Sequence, residues 1–345
     1  MKRFIVYILI FICGMTYYSS AQADIHYSQF YETALLRNPA LTGVFDKNYK
    51  VSAYYRSQWI SITSPYQTMQ ISGEYRLSMG HNSNDFLSLG LLGYNDIAGE
   101  LEQKITGGYM SVNYNKSINT NNNSYLSVGF VGGALQYSFD PSKATFDNQF
   151  QAGVYDPTNP NMENIPEPRM NITDVGAGIN YNFTAGNSQE ATYMLGVSGY
   201  HFSQPLFSYF KTFSYTQNIR WNLNAAMVRE LNENVILQVH ANYAQQGSYS
   251  EIIACALIGW RTFEAFSETS FEIYGGVGYR YQDAVVPIVK LRFKRASFGI
   301  SYDVNTSKLQ KASNSQGGLE VTATLTGNYP PSRGAYRKTV CPRFN

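Results

Sequence analysis

Four histidines, His26, His81, His201 and His240, are the side chains best suited to acid–base or metal chemistry. A zinc site takes closely spaced His or Cys ligands, and a metallohydrolase takes them as H-E-x-x-H on a helix. None of the four histidines is paired at such a spacing, and the H-E-x-x-H pattern is absent. The serine nucleophile elbow G-x-S-x-G is absent too. Of three cysteines, Cys13 lies in an apolar leader, Cys255 within a strand pattern and Cys341 near the C-terminus. That spacing supports no disulfide, and Cys255 reads as a small apolar residue. Glycine pairs at 107–108, 132–133 and 275–276 have no strand-to-helix context for a phosphate loop. They fit curvature or tight packing in a sheet. The expectation is a protein without catalytic residues, cofactor or metal.

The elements around these residues alternate with a period of two. Over 218–227, Ile219, Trp221, Leu223, Ala225 and Met227 share one face, and Asn218, Arg220, Asn222 and Asn224 the other. Over 234–243, Val235, Leu237, Val239, Ala241 and Tyr243 oppose Asn234, Gln238, His240 and Asn242. A period of two means strand. About fourteen such segments lie near 51–61, 66–76, 86–96, 101–116, 124–138, 171–183, 191–202, 215–230, 234–246, 249–260, 270–282, 285–293, 296–305 and 318–328. Roughly ten residues cross a bilayer as a tilted strand. Many of them in series are the signature of a single all-β, antiparallel transmembrane β-barrel.

Composition agrees. The chain has 29 Tyr and 20 Phe, and 14% of its residues are charged. Disorder and a charged soluble enzyme are both disfavoured, while aromatic girdles of a barrel are favoured. Lys2 and Arg3, the apolar run 4–13 and the small residues of 19–23 form a secretory signal, cleaved after Ala21 or Ala23. Loss of Lys2 and Arg3 leaves a near-neutral chain, and no basic balance calls for nucleic acid. The expected division is a signal peptide (1–23), an N-terminal periplasmic segment and possible plug (24–49), an outer-membrane barrel (50–329) and a basic tail (330–345). Barrel lipid is then an obligate partner, and the cell outer membrane the location.

An even strand count puts both ends on the periplasmic side. The longest connections, 140–170, 203–214 and 306–317, then all fall outside, and the turns 187–190, 232–233 and 294–295 fall inside. The link 261–269 is a longer exception. Facing is legible strand by strand. Val289, Leu291 and Phe293 point to lipid, with Lys290 and Arg292 inward. Leu319, Val321, Ala323 and Leu325 point out, with Glu320, Thr322 and Thr324 inward. A Lys or Arg on the lipid face would cost about 2–4 kcal/mol at mid-membrane. Residues 252–260 are apolar on both faces, so the lumen there is filled by protein, or the strand touches something besides lipid and water. Pro287, which removes a ladder donor, predicts a bulge or a strand end.

The N-terminal part carries further motifs. Tyr27-Ser-Gln-Phe30, Leu36-Arg-Asn-Pro-Ala-Leu-Thr-Gly43, Tyr54-Tyr-Arg-Ser-Gln-Trp59, Ser64-Pro-Tyr-Gln-Thr68 and Gly93-Tyr-Asn-Asp-Ile-Ala-Gly99 stand in order. Together they resemble the opening of the PorP/SprF family, outer-membrane barrels of the Bacteroidetes type IX secretion system. Ser57 replaces the family's usual Asn, and a Gly common after the Trp segment is missing. The resemblance implies support for secretion or surface attachment of specific cargo, often gliding adhesins. It also implies partners among periplasmic type IX components and a cargo C-terminal domain. The motif residues Asn38, Pro39, Gly43, Arg56, Gln58, Trp59, Pro65 and Thr68 become candidates for docking. Asn38 before Pro39 fixes a turn, and Gly43 suits a positive φ before the first strand. Tyr55 and Trp59 share an outward face, with Arg56 and Gln58 inward, where they either supply lumen polarity or hold the N-terminal segment. Two other readings stand beside this one. One is a transport barrel, either a porin or a hydrophobic-solute channel. The other is an outer-membrane hydrolase, whose Ser–His pair the sequence neither shows nor excludes.

Overall fold

The computed structural model describes residues 24–329 except 61–63, 80–83, 120–123, 152, 161, 163–167, 186–190, 211–212, 263–270 and 309. The signal 1–23, the tail 330–345, His81, Cys341 and the turn 187–190 lie outside the described residues. In chain order the strands are β1 (Tyr49–Gln58), β2 (Tyr66–Ser78), β3 (Phe86–Ala98), β4 (Gln103–Asn119), β5 (Ser124–Ser138) and β6 (Phe150–Gln151). Next come β7 (Val154–Tyr155), β8 (Arg169–Ala185), β9 (Ala191–Tyr200), β10 (Leu206–Phe210), β11 (Phe213–Thr216) and β12 (Arg220–Glu230). The last are β13 (Val235–Gln246), β14 (Tyr249–Thr262), β15 (Phe271–Arg280), β16 (Ala284–Phe293), β17 (Ala296–Asn305) and β18 (Gln316–Gly327).

Fourteen strands close into one antiparallel barrel, with β1 zipped onto β18 from Tyr49↔Gly327 to Gln58↔Gly318. Closure leaves no sheet edge, whose unpaired N–H and C=O groups hydrocarbon could not satisfy. The pairs β6–β7 and β10–β11 form small separate hairpins within the connections 139–168 and 201–219. The rim where β1 starts and β18 stops is called the terminal rim, and the opposite one the loop rim. The three long connections, 139–168, 201–219 and 306–315, all leave the loop rim. The short turns 231–234 and 294–295 are at the terminal rim.

Alternation sets the facing. Met110, Phe130, Leu91, Ile71 and Ile258 are all at least 60% exposed and form an outer apolar belt. Ser111 and Ser72, next to Met110 and Ile71 in the chain, are buried, as are the inward Asn222, Asn180 and Asn113. An outer face this apolar, on a closed barrel with a polar inner face, is that of a membrane-spanning barrel.

Three local expectations are corrected. The segment expected at 215–230 starts as a barrel strand only at Arg220, because Phe213–Thr216 pairs with β10 instead. Trp59 is not on the face of β1. The strand ends at Gln58, and Trp59 turns out of it at φ 56° to meet Tyr66 edge-on at 4.7 Å. Pro287 neither ends β16 nor bulges it. Pairing to β15 continues through Pro287↔Val277, and pairing to β17 lapses between Val285 and Ile288 with register kept. A missing donor needs no inserted residue, and the nearby register shift lies one strand further on, between Asp303 and Val304 of β17.

Candidate functional site

Residues 24–48 lie inside the barrel and thread it from loop rim to terminal rim. Proline and asparagine shape the segment. Asn38 is extended, its carboxamide oxygen accepts from the Ala40 N–H at 2.9 Å, and Pro39 opens a 3-10 turn, Pro39–Leu41. Gly43 takes φ +74°, and a Cβ there would sit 2.0 Å from the Ser88 hydroxyl. Tyr27, Phe30, Leu35, Ala40, Leu41, Val44 and Phe45 are all buried.

At the loop rim, Asp24 reaches His201 at 2.5 Å and Arg220 at 3.5 Å. His201 sits just past β9 in the left-handed region (φ 61°), with its other ring nitrogen 2.9 Å from Asp174. Burial opposes protonation of His201, but Asp24 and Asp174 outweigh it and raise the pKa to about 9. The same pairing outweighs burial at Asp24, so His201 and Arg220 hold its carboxyl below the usual carboxylate range. Both shifts follow from opposite charges in contact.

One level deeper, Arg56 meets Asp303 at 3.1 Å and Glu320 at 3.2 Å. Arg280 meets Asp303 at 3.2 Å, and the Ser28 hydroxyl donates to that carboxylate at 2.5 Å. The Glu320 carboxylate accepts the Ser28 and Gln29 backbone N–H groups at 2.6 and 2.8 Å. Gln29 also donates to Ser301 and accepts from Thr322. Charged groups from four strands thus converge on Ser28 and Gln29 of the segment. Buried charges persist only when paired and hydrogen-bonded in this way.

Mid-lumen, Glu32 pairs with Lys290, and the Tyr54 hydroxyl donates to the Glu32 carbonyl at 2.5 Å. Tyr200 and Ser198 donate to the Leu35 and Arg37 carbonyls. The Asn38 amide donates to Asn224 at 2.9 Å, and Asn113 donates to both Ala40 and Thr42. Towards the terminal rim, Gly43 N–H donates to Glu74, itself paired with Lys50 at 2.7 Å, and Arg76 donates to the Phe45 carbonyl. The wall is notched to receive the segment. A Cβ at Gly129 would lie 2.4 Å from Pro39 and Ala40 backbone, and one at Gly178 would lie 2.0 Å from Asn38.

The strand that is apolar on both faces finds its inner partner here. Ile253, Cys255 and Leu257 of β14 pack with Phe30 of the segment and with Val286 and Ile288. Of the motif residues, Asn38, Pro39, Gly43 and Arg56 take part in the segment–wall contact. Gln58 is half-buried beside Gly318 at the loop rim, with Trp59 and Pro65 close by in the chain. Thr68 faces inward on β2 and donates to Asp96 at 2.5 Å. Sequence reasoning missed Asp24, Ser28, His201, Arg280, Asp303 and Glu320 as one system. Their signal was weak, namely inward charges on strands far apart in sequence. His240 is buried and stacks on Tyr31 at 4.9 Å. Among the described residues no three His, Cys, Asp or Glu are grouped to hold a metal.

The molecule is therefore a membrane-spanning antiparallel barrel whose lumen is occupied by its own N-terminal residues. A family model described as "Type IX secretion system membrane protein PorP/SprF" matches residues 19–325, and the chain belongs to that family. No curated protein matches the chain. Solved structures similar to it include the CymD monoaromatic hydrocarbon channel, at 8% identity and TM-score 0.49 over 86% of this chain and 93% of that one. A Pseudomonas aeruginosa FadL homologue matches at 10% identity and TM-score 0.46, over 84% and 92% of the two chains. The translocator domain of the autotransporter NalP from Neisseria meningitidis matches at 9% and 0.41, over 81% and 88%. At these values the likeness carries no argument.

Proposed function

We propose that this protein is a non-catalytic outer-membrane barrel that supports secretion or surface attachment of specific type IX cargo, such as gliding adhesins. In this reading it acts through what docks on it, and solutes do not pass through it. The observation that carries the reading is the occupied lumen. A porin or hydrophobic-solute channel needs a continuous path, whereas here buried hydrogen bonds and ion pairs tie residues 24–48 to the wall from rim to rim. Both chain ends face the periplasm after a signal peptide is removed, and the loop rim faces the cell exterior. The exposed rims are then the docking faces, for periplasmic type IX components on one side and a cargo C-terminal domain on the other. Asn38, Pro39, Gly43 and Arg56 act in this scheme by fixing the segment, and Gln58, Trp59, Pro65 and Thr68 by shaping the loop rim.

The test is a gene deletion. Surface delivery of one or a few type IX cargoes should fail, with general secretion and small-solute uptake intact, and co-purification should recover a periplasmic component or cargo C-terminal domain. Normal surface cargo with defective uptake of a nutrient would overturn the proposal and favour the transport barrel.

A further inference from the structure

Neighbouring strands of the barrel wall follow one another in the chain, which links each pair at a rim. The pair β1–β18 is the exception, because the first and last wall strands meet through their ladder alone. Bringing them together closes a loop of nearly the whole barrel, at an entropic cost that a tight turn does not carry. The wall is therefore least secured by its own connectivity at this seam. Two inward pairs stand opposite each other across it, Arg56↔Glu320 and Tyr54↔Thr322, and all four side chains are buried.

Residues 26–32 of the segment bind both members of both pairs. Glu320 accepts the Ser28 and Gln29 backbone N–H groups, and Arg56 donates to the His26 carbonyl. One pair further along, Thr322 donates to the Gln29 side-chain oxygen at 3.0 Å, and Tyr54 donates to the Glu32 carbonyl. The Gln29 amide reaches one strand beyond the seam and donates to Ser301 of β17 at 3.1 Å. The wall is cut for this side chain, since a Cβ at Gly299 would lie 2.4 Å from the Gln29 oxygen. The Tyr27 ring packs 5.8 Å from that of Tyr54. At the terminal rim the Asn48 N–H donates to the Gly327 carbonyl at 2.9 Å, which carries the seam's ladder on into the segment. A group that contacts both sides of a closed joint binds the closed form more tightly than the open one, and so stabilises closure.

We propose that residues 26–32 are an internal clasp on the β1–β18 seam, so that release of this part of the segment and sideways opening of the wall are one coupled change. The coupling runs both ways. Whatever loosens 26–32 frees the seam, and whatever fixes the seam slows the release of 26–32. Residues 38–42 are bonded to β4, β8, β9 and β12, away from the seam, and are not part of the clasp. The clasp concerns how the wall is held closed and stands whether or not the secretion reading does.

The test is hydrogen exchange, read by mass spectrometry, on the mature protein refolded into detergent. Gln29→Ala removes the side-chain bonds to Ser301 and Thr322 and leaves every strand ladder in place. Amides of β1 and β18 should then exchange about tenfold faster, as the loss of such bonds implies, with β13 and β14 unchanged. A second arm leaves the segment unaltered. Val51 and Leu325 stand opposite each other on the lipid face of the seam. Val51→Cys with Leu325→Cys, in a chain that also carries Cys255→Ala and Cys341→Ala, allows a disulfide across it. Forming that disulfide should slow exchange across 26–32 more than across 38–42, and reduction should reverse the effect. A matched disulfide between β13 and β14, from Val239→Cys with Ala256→Cys, should leave 26–32 unchanged. The second arm compares oxidised and reduced forms of one folded protein, so it decides the matter even where Gln29→Ala does not fold. Exchange across 26–32 that is indifferent to the seam disulfide would overturn the proposal. So would unaltered β1 and β18 exchange in folded Gln29→Ala.

Discussion

Replacing Gly129 with alanine adds one methyl group to the inner wall of β5, at the point where the N-terminal segment crosses it. The new Cβ would stand 2.4 Å from the Ala40 nitrogen and the Pro39 carbonyl carbon, against the 3.4 Å at which ordinary contact begins. The segment must retreat by about 1 Å. It cannot do so by rotating a side chain, because the atoms in the way are backbone of a proline-led 3-10 turn. That turn is held by Asn113 donating to Ala40 at 2.9 Å and by Asn38 donating to Asn224 at 2.9 Å. Overpacking costs about 1–3 kcal/mol, and weakening two buried hydrogen bonds adds about 1 kcal/mol each. The expected loss is about 3–5 kcal/mol. The matched control is Gly73→Ala on β2, where a Cβ meets nothing within 4 Å. It should change stability by less than about 1 kcal/mol, because alanine also constrains the unfolded chain slightly more than glycine. Urea unfolding in detergent, followed by tryptophan fluorescence, gives both values. Hydrogen exchange across 35–45 should speed up in Gly129→Ala alone. Equal stability of the two variants, with unchanged exchange, would refute the argument that the wall is cut to the segment's backbone.

Leu223→Arg puts a charge on the lipid face of β12 and should cost about 2–4 kcal/mol, while Leu231→Arg at the rim should cost about 0–1; similar losses in a lipid refolding assay would contradict the assigned facing. The His201 contact gives a pH dependence whose sign is fixed. Its folded pKa of about 9 lies above the unfolded value near 6.5, so its stabilisation is complete below about 6.5 and is lost as pH rises through about 9. The shift corresponds to about 3 kcal/mol, shared with Asp24. Stability measured from pH 6 to 10 should fall across that window in the unaltered protein and stay flat in His201→Gln; identical slopes would remove His201 as the cause.

Much of the barrel was legible because a wall one residue thick, between lipid and a polar interior, imposes period two on every strand. Trp221 and Asn222 had to face opposite ways, and they do. The unusual strand at 252–260 was legible as an anomaly, and the Phe30 contact explains it. The course of residues 24–48 was less legible. It depends on pairs such as Ser28 with Glu320 and Asn38 with Asn224, separated by 292 and 186 positions. No local propensity encodes such pairs. The notches at Gly129 and Gly178 are visible only with the segment lying against them, since nothing local to either glycine encodes that contact. His201 looked like a lone histidine because its two carboxylate partners, Asp24 and Asp174, come from elements that only the closed barrel brings together.

The central claim, a barrel closed by its own N-terminal residues, is tested most directly by ion conductance of the purified mature protein in planar bilayers. The intact protein should show no steady open level, and deletion of residues 25–45 should produce one, with the steps of a water-filled fourteen-strand pore. A stable ohmic conductance in the intact protein, unchanged by that deletion, would contradict the account.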